Sequence, residues 1–66
     1  MNYNPQDLED ALKGMERNLD GLLPLTFGYY QSKVGRILNE YKEKDLEQYR
    51  TRYNAIIKQA KTRNII

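Results

Sequence analysis

The side chains of this chain that could do chemistry are six tyrosines, eleven lysines and arginines, nine aspartates and glutamates, and the single serine Ser32, with no histidine, cysteine or tryptophan. That inventory is poor for catalysis. A Ser32 nucleophile would need a lysine or carboxylate base, and the adjacent Lys33 points away from it on a helix. Asp7, Glu9, Asp10 and Glu16 stand where carboxylates ordinarily sit early in a helix, and Gly14, Gly21, Gly28 and Gly35 form no phosphate-cradling loop. The soft and imidazole ligands of zinc or haem are missing, and no acidic calcium loop occurs. The expectation is a protein that is not an enzyme, with no cofactor, no metal and no small-molecule substrate.

Tyrosine at helical spacing suits contact instead. Each ring buries a large apolar body and still asks a partner for its hydroxyl, so tyrosine gathers at interfaces and half-wet core edges. Tyr3 precedes the first helix signal, and Tyr29, Tyr30, Tyr41, Tyr49 and Tyr53 follow in the second half. The expected partner-binding surface joins Tyr30, Tyr41, Tyr49, Tyr53 and Ile57 to the cations Arg50, Arg52, Lys58, Lys61 and Arg63.

The formal net charge of +2 hides an asymmetry. Residues 1–30 carry five acids against two bases, a balance of −3, and residues 31–66 carry nine bases against four acids, a balance of +5. Such a split suits a basic face for nucleic acid or an acidic protein, or head-to-tail self-association, and it also suits helix macrodipoles and a solvated tail.

The elements that must position these groups are helical. Asn4 is a good N-cap, Pro5 fits the first helical position and Asp7 meets the positive helix end. Leu8, Ala11, Leu12, Met15, Leu19 and Leu22 then make one apolar stripe, with Glu9 and Lys13 spaced for an ion pair. Gly21 and Pro24 end that helix. Gly14 is a mild defect or a point of close approach. Leu22-Leu23-Pro24-Leu25 is an unusually apolar turn, which either folds under the bundle or is covered by another chain. Thr26 is expected to cap a second helix carrying Phe27, Tyr30, Val34, Ile37, Leu38 and Tyr41. Leu46, Tyr49, Tyr53, Ile56, Ile57 and Ala60 fall out of phase with that stripe, which predicts a break near residues 42–45, with Asp45 as N-cap and Gln48 as its capping-box partner. The fold expected is all-α, one domain with helices over about 5–21, 27–42 and 45–63; the alternative is a helical hairpin whose long second arm oligomerises. A thin core of this size ordinarily needs a supplement, and a second chain is the one left.

Gly28-Tyr29-Tyr30-Gln31-Ser32-Lys33-Val34-Gly35-Arg36-Ile37-Leu38-Asn39 resembles the turn and recognition helix of a LacI-type helix-turn-helix, with its Gly, Val, Arg and Asn in register. Pro24 stands where that family places a small residue, usually Ala, and Tyr29 and Tyr30 where it keeps small or apolar ones. The resemblance implies DNA reading by residues 28–39. Tyr49-Arg50-Thr51-Arg52-Tyr53 offers a second route to nucleic acid, rings interleaved with cations.

The function expected is a non-enzymatic protein–protein interaction or assembly module, a homo-oligomer or the small adaptor of a larger partner. A small nucleic-acid-binding protein using the basic second half is the alternative. No apolar run approaches the ~18 residues of a membrane span and the first residues carry no leader pattern, so the chain is expected in the cytoplasm and off the membrane.

Overall fold

A computed structural model describes residues 3–42 and 44–66. Three α-helices, α1 (Pro5–Asp20), α2 (Pro24–Glu40) and α3 (Glu47–Thr62), follow one another, with a 3-10 turn over Lys44–Leu46 before the third. No strand occurs among the described residues.

α1 starts as its sequence dictates. The Asn4 side chain accepts from the backbone N–H of Gln6 at 2.9 Å and of Asp7 at 3.4 Å, satisfying two of the helix's orphan donors. Its apolar stripe is the heart of the core: Leu8, Leu12 and Met15 are fully buried and Leu19 nearly so. α2 folds back antiparallel, laying Phe27, Val34 and Leu38 on that stripe, and α3 returns to add Ile56 and Ala60, with Leu46 from the preceding turn. α3 packs chiefly on α1.

α1 and α3 end alike, in Schellman turns. The N–H groups of Leu22 and Leu23 donate to the carbonyls of Leu19 and Asn18 at 3.1 and 2.9 Å; Asn64 and Ile65 repeat the pattern on Lys61 and Ala60 at 3.2 and 2.9 Å. The motif needs a left-handed residue after the cap. In α3 that residue is Asn64 (φ 61°), and in α1 it is Leu22 (φ 54°), while Gly21 one place earlier keeps an ordinary helical φ of −83°.

Three expectations are corrected. The second helix begins at Pro24, not residue 27, because proline's fixed φ suits a first helical position and outranks Thr26; the N-cap is Leu23, with no side-chain cap bond. Asp45 is not an N-cap, since it lies inside the 3-10 turn and Leu46 takes that place, again without a side-chain bond. The long-armed hairpin is not formed, because Tyr41 is extended (φ −113°, ψ 126°) and breaks the chain there. The helices therefore end at Asp20, Glu40 and Thr62 rather than 21, 42 and 63.

Gly14 is a point of close approach to a ring. A Cβ there would stand 2.9 Å from three ring atoms of Tyr30, so the tyrosine lies against α1 where only glycine leaves room. Gly14→Ala should therefore destabilise the protein in urea unfolding, although alanine is the better helix former by about 1 kcal/mol. In a Tyr30→Ala background the same change should stabilise by about that propensity difference; equal effects in the two backgrounds would remove the ring as the cause.

Candidate protein-contact surface

Of the five cations expected to meet a partner, Arg52 and Arg63 are paired with carboxylates of α1 and Arg50 is held at the end of α2. Arg52 sits between two carboxylates: its Nη1 donates to both oxygens of Glu9 at 2.9 and 2.8 Å, and its Nη2 to Glu16 at 3.1 Å. These hydrogen bonds, led by Glu9, hold the Arg52 pKa above the ordinary arginine value. Arg63 pairs with Asp20 at 3.3 Å, and Lys33 of α2 with Asp7 at 3.1 Å. Arg50 closes the end of α2, its Nη2 donating to the Tyr41 carbonyl at 2.6 Å, with Glu47 at 3.7 Å from its Nε. Asp7, Glu9, Glu16 and Asp20, four of the five acids of the first half, are thus held by bases of the second.

The predicted tyrosines are occupied in the same way. Tyr30 covers Gly14, and the Tyr53 hydroxyl reaches over Gly35, 3.2 Å from where a Cβ would stand. Tyr41 meets Tyr3 with ring centroids 5.4 Å apart. Tyr49 and Ile57 are half-buried against the core. Of the ten predicted contact residues, only Lys58 and Lys61 are both exposed and without an ion pair among the described residues.

The helix-turn-helix reading of residues 28–39 is corrected too. All twelve residues lie within the unbroken α2, so the turn that the motif requires after its first helix is not there.

Sequence reasoning missed the surface formed by α1, α2 and their turn. The large apolar side chains left in water are Leu22 (58% exposed), Leu23 (52%), Leu25 (91%) and Tyr29 (65%), together with Ile66 (47%). The first four are consecutive or one helical turn apart, and the Arg63–Asp20 pair brings the end of α3 to the same end of the molecule. Beside the leucines, Tyr29 and Tyr30 form an edge-on pair with centroids 5.2 Å apart. Lys13, Arg17 and Lys33, with the carboxylate of Asp10, line the hollow of about 280 Å³ along Tyr30, and Lys33 and Arg36 the one of about 260 Å³ along Tyr29. Lys13, Arg17 and Arg36 form no ion pair among the described residues.

Compared with family models, curated proteins and solved structures, the chain matches none of them.

The signal for this surface was present in part. Lys13 was expected to pair with Glu9, but Glu9 is taken by Arg52, which leaves the lysine to solvent. The apolar turn was visible as an anomaly, and folding under the bundle is not its solution. Among the described residues no helix is long and apolar enough to cross a membrane, and no group of three or more metal-ligating side chains converges.

Arg52→Ala should cost about 1 kcal/mol, since a partly exposed charge network is worth more than one surface pair and leaves Glu9 and Glu16 facing each other when broken. Hydrogen exchange should speed up in α3 before α1. Lys58→Ala and Lys61→Ala should stay within about 0.5 kcal/mol; a larger loss at either lysine than at Arg52 would reverse this assignment.

The hydrogen bond to Asp7 also raises the Lys33 pKa above the ordinary lysine value. A base whose folded pKa is raised adds stability below its unfolded pKa and loses it as pH rises through the folded one. By NMR titration Lys33 should deprotonate above the ordinary lysine value, and Asp7→Asn should lower its pKa; no change on that substitution would refute the pairing in solution.

Proposed function

We propose that the chain is a non-enzymatic protein-contact module whose binding surface is centred on the leucines of the α1–α2 turn. The observation that carries this reading is where those leucines stand. Leu22 occupies a left-handed position, where a residue other than glycine or asparagine costs about 1 kcal/mol. Leu23 is an N-cap without an oxygen to offer, at a further cost of about 1 kcal/mol against serine or aspartate. Leu25 is 91% exposed on the first turn of α2, where any polar residue would serve. Three backbone positions that favour glycine or polar residues all hold leucine, and all three side chains are more than half in water.

Local strain and broken capping rules concentrate at functional sites. Asn64 supplies the comparison, because the same motif at the end of α3 uses a residue suited to it. The tyrosine pair beside the leucines extends the surface with rings of the kind enriched in interfaces. Assembly with another polypeptide also suits a chain whose core is this thin.

The test follows from the opposition between stability and contact. A variant carrying Leu22→Gly, Leu23→Ser and Leu25→Gln should unfold at higher urea concentration, by about 2 kcal/mol. Peptides selected from a random library on the wild-type protein should bind that variant at least about tenfold more weakly, a loss of about 1.4 kcal/mol. A library that yields no binders, or binders indifferent to the three leucines, would sink the reading.

A further inference from the structure

The solvent face of α2 has a direction. Leu25, Tyr29, Ser32 and Arg36 recur at intervals of four, three and four, one stripe along about 16 Å of helix. Leu25 and Tyr29 at its start are 91% and 65% exposed. Arg36 at its far end has no ion pair among the described residues, and on α1 the equally unpaired Lys13 and Arg17 line, with Asp10, the hollow along the neighbouring Tyr30. The surface is therefore apolar at the turn, aromatic in its middle and cationic along its far end and side.

Resting on the contact-module reading, we propose that this surface takes an acidic amphipathic helix of a different protein. Its apolar side lies on Leu22, Leu25 and Tyr29, and its carboxylates meet Arg17, Lys13 and Arg36. Helical spacing of the exposed anchors is what a helical partner reads. Charge complementarity decides against a second copy. Asp7, Glu9, Glu16, Asp20 and Glu47 are already held by Lys33, Arg52, Arg63 and Arg50, which among the described residues leaves Asp10, Glu40 and Asp45 against seven unpaired lysines and arginines, so another copy brings more free cations than free carboxylates. Two such stripes side by side set Arg36 against Arg36 when parallel, and Leu25 against Arg36 when antiparallel. Single-stranded nucleic acid would satisfy the cations and the tyrosines but leave the leucines in water.

The experiment uses the full chain and three fluorescent probes, followed by anisotropy at low and high salt. The first is a synthetic helix of about 20 residues with leucines on one face and glutamates on the other, the second is the same helix with lysines for glutamates, and the third is a thymidine oligomer of about 16 nucleotides. The glutamate helix should bind, and added salt should weaken it. Arg17→Gln with Arg36→Gln should reduce its affinity about tenfold, and so should the triple leucine variant. The lysine helix should not bind detectably. Equal binding of both helices, each lost in the leucine variant, overturns the acidic partner and leaves the contact-module reading standing. No helix binding, or binding indifferent to the leucines, overturns both. Preferential capture of the oligomer, or a wild-type chain that sediments as a leucine-dependent dimer, overturns the proposal in favour of nucleic acid or of a second copy.

Discussion

Burial of the α1 stripe is the constraint on which the rest of the molecule depends. Leu8, Leu12, Met15 and Leu19 are all but removed from water, at roughly 1.5–3 kcal/mol for each side chain of this size. No single exposed ion pair approaches that, since such pairs contribute about 0.2–1 kcal/mol. α2 and α3 are therefore held by the same strip of apolar surface, and the charges do a different task. Arg52 between Glu9 and Glu16, Arg63 on Asp20 and Lys33 on Asp7 pin the rotation and register of each helix on a stripe that would tolerate several.

That division of labour explains the charge asymmetry. A chain that is acidic early and basic late looks from its composition like one seeking an anionic partner. Folding pairs the two halves first, because α1 lies between both basic helices and offers carboxylates to each. The remaining basic surface is smaller, and part of it, Lys13, Arg17 and Arg36, lies beside Tyr29 and Tyr30, while Lys58 and Lys61 stay unpaired on α3. The tyrosines follow the same logic. Tyr30, with its ring on Gly14, and Tyr53, with its hydroxyl over Gly35, fill the shallow gaps that a thin three-helix core leaves at its edges.

Much of the fold was legible because it rests on local chemistry. Asn4, Pro5 and Asp7 start α1 as capping rules require, the stripe repeats at three and four, and the phase change after Tyr41 marks a real break between helices. The candidate site was much less so. Periodicity tells which side of a helix is apolar but not which neighbour covers its flanks, and Arg52 meets Glu9 across 43 residues of sequence. Thr26 and Asp45 were plausible caps by type. Pro24 and the 3-10 turn took those places because backbone geometry sets where a helix starts before any side chain caps it.

The leucine turn shows where local rules fail and what the failure means. A Schellman turn closes α1 with every hydrogen bond in place, so the backbone there is well made and only the side chains are wrong for it. Had stability alone shaped the segment, glycine would stand one residue later, at 22, and a hydroxyl or carboxylate at 23, as Asn4 stands before α1. Strain that a single residue change would relieve is not forced by the fold. Helix α3 needs the same left-handed corner a short distance away and fills it with asparagine, which shows that the corner itself does not call for leucine. What the leucines add is exposed apolar surface at one end of the molecule, beside an aromatic pair and three unpaired cations. In a core this thin, each kcal/mol held back from folding is a sizeable share of the whole, and contact with another chain is the physical setting in which that surface returns it.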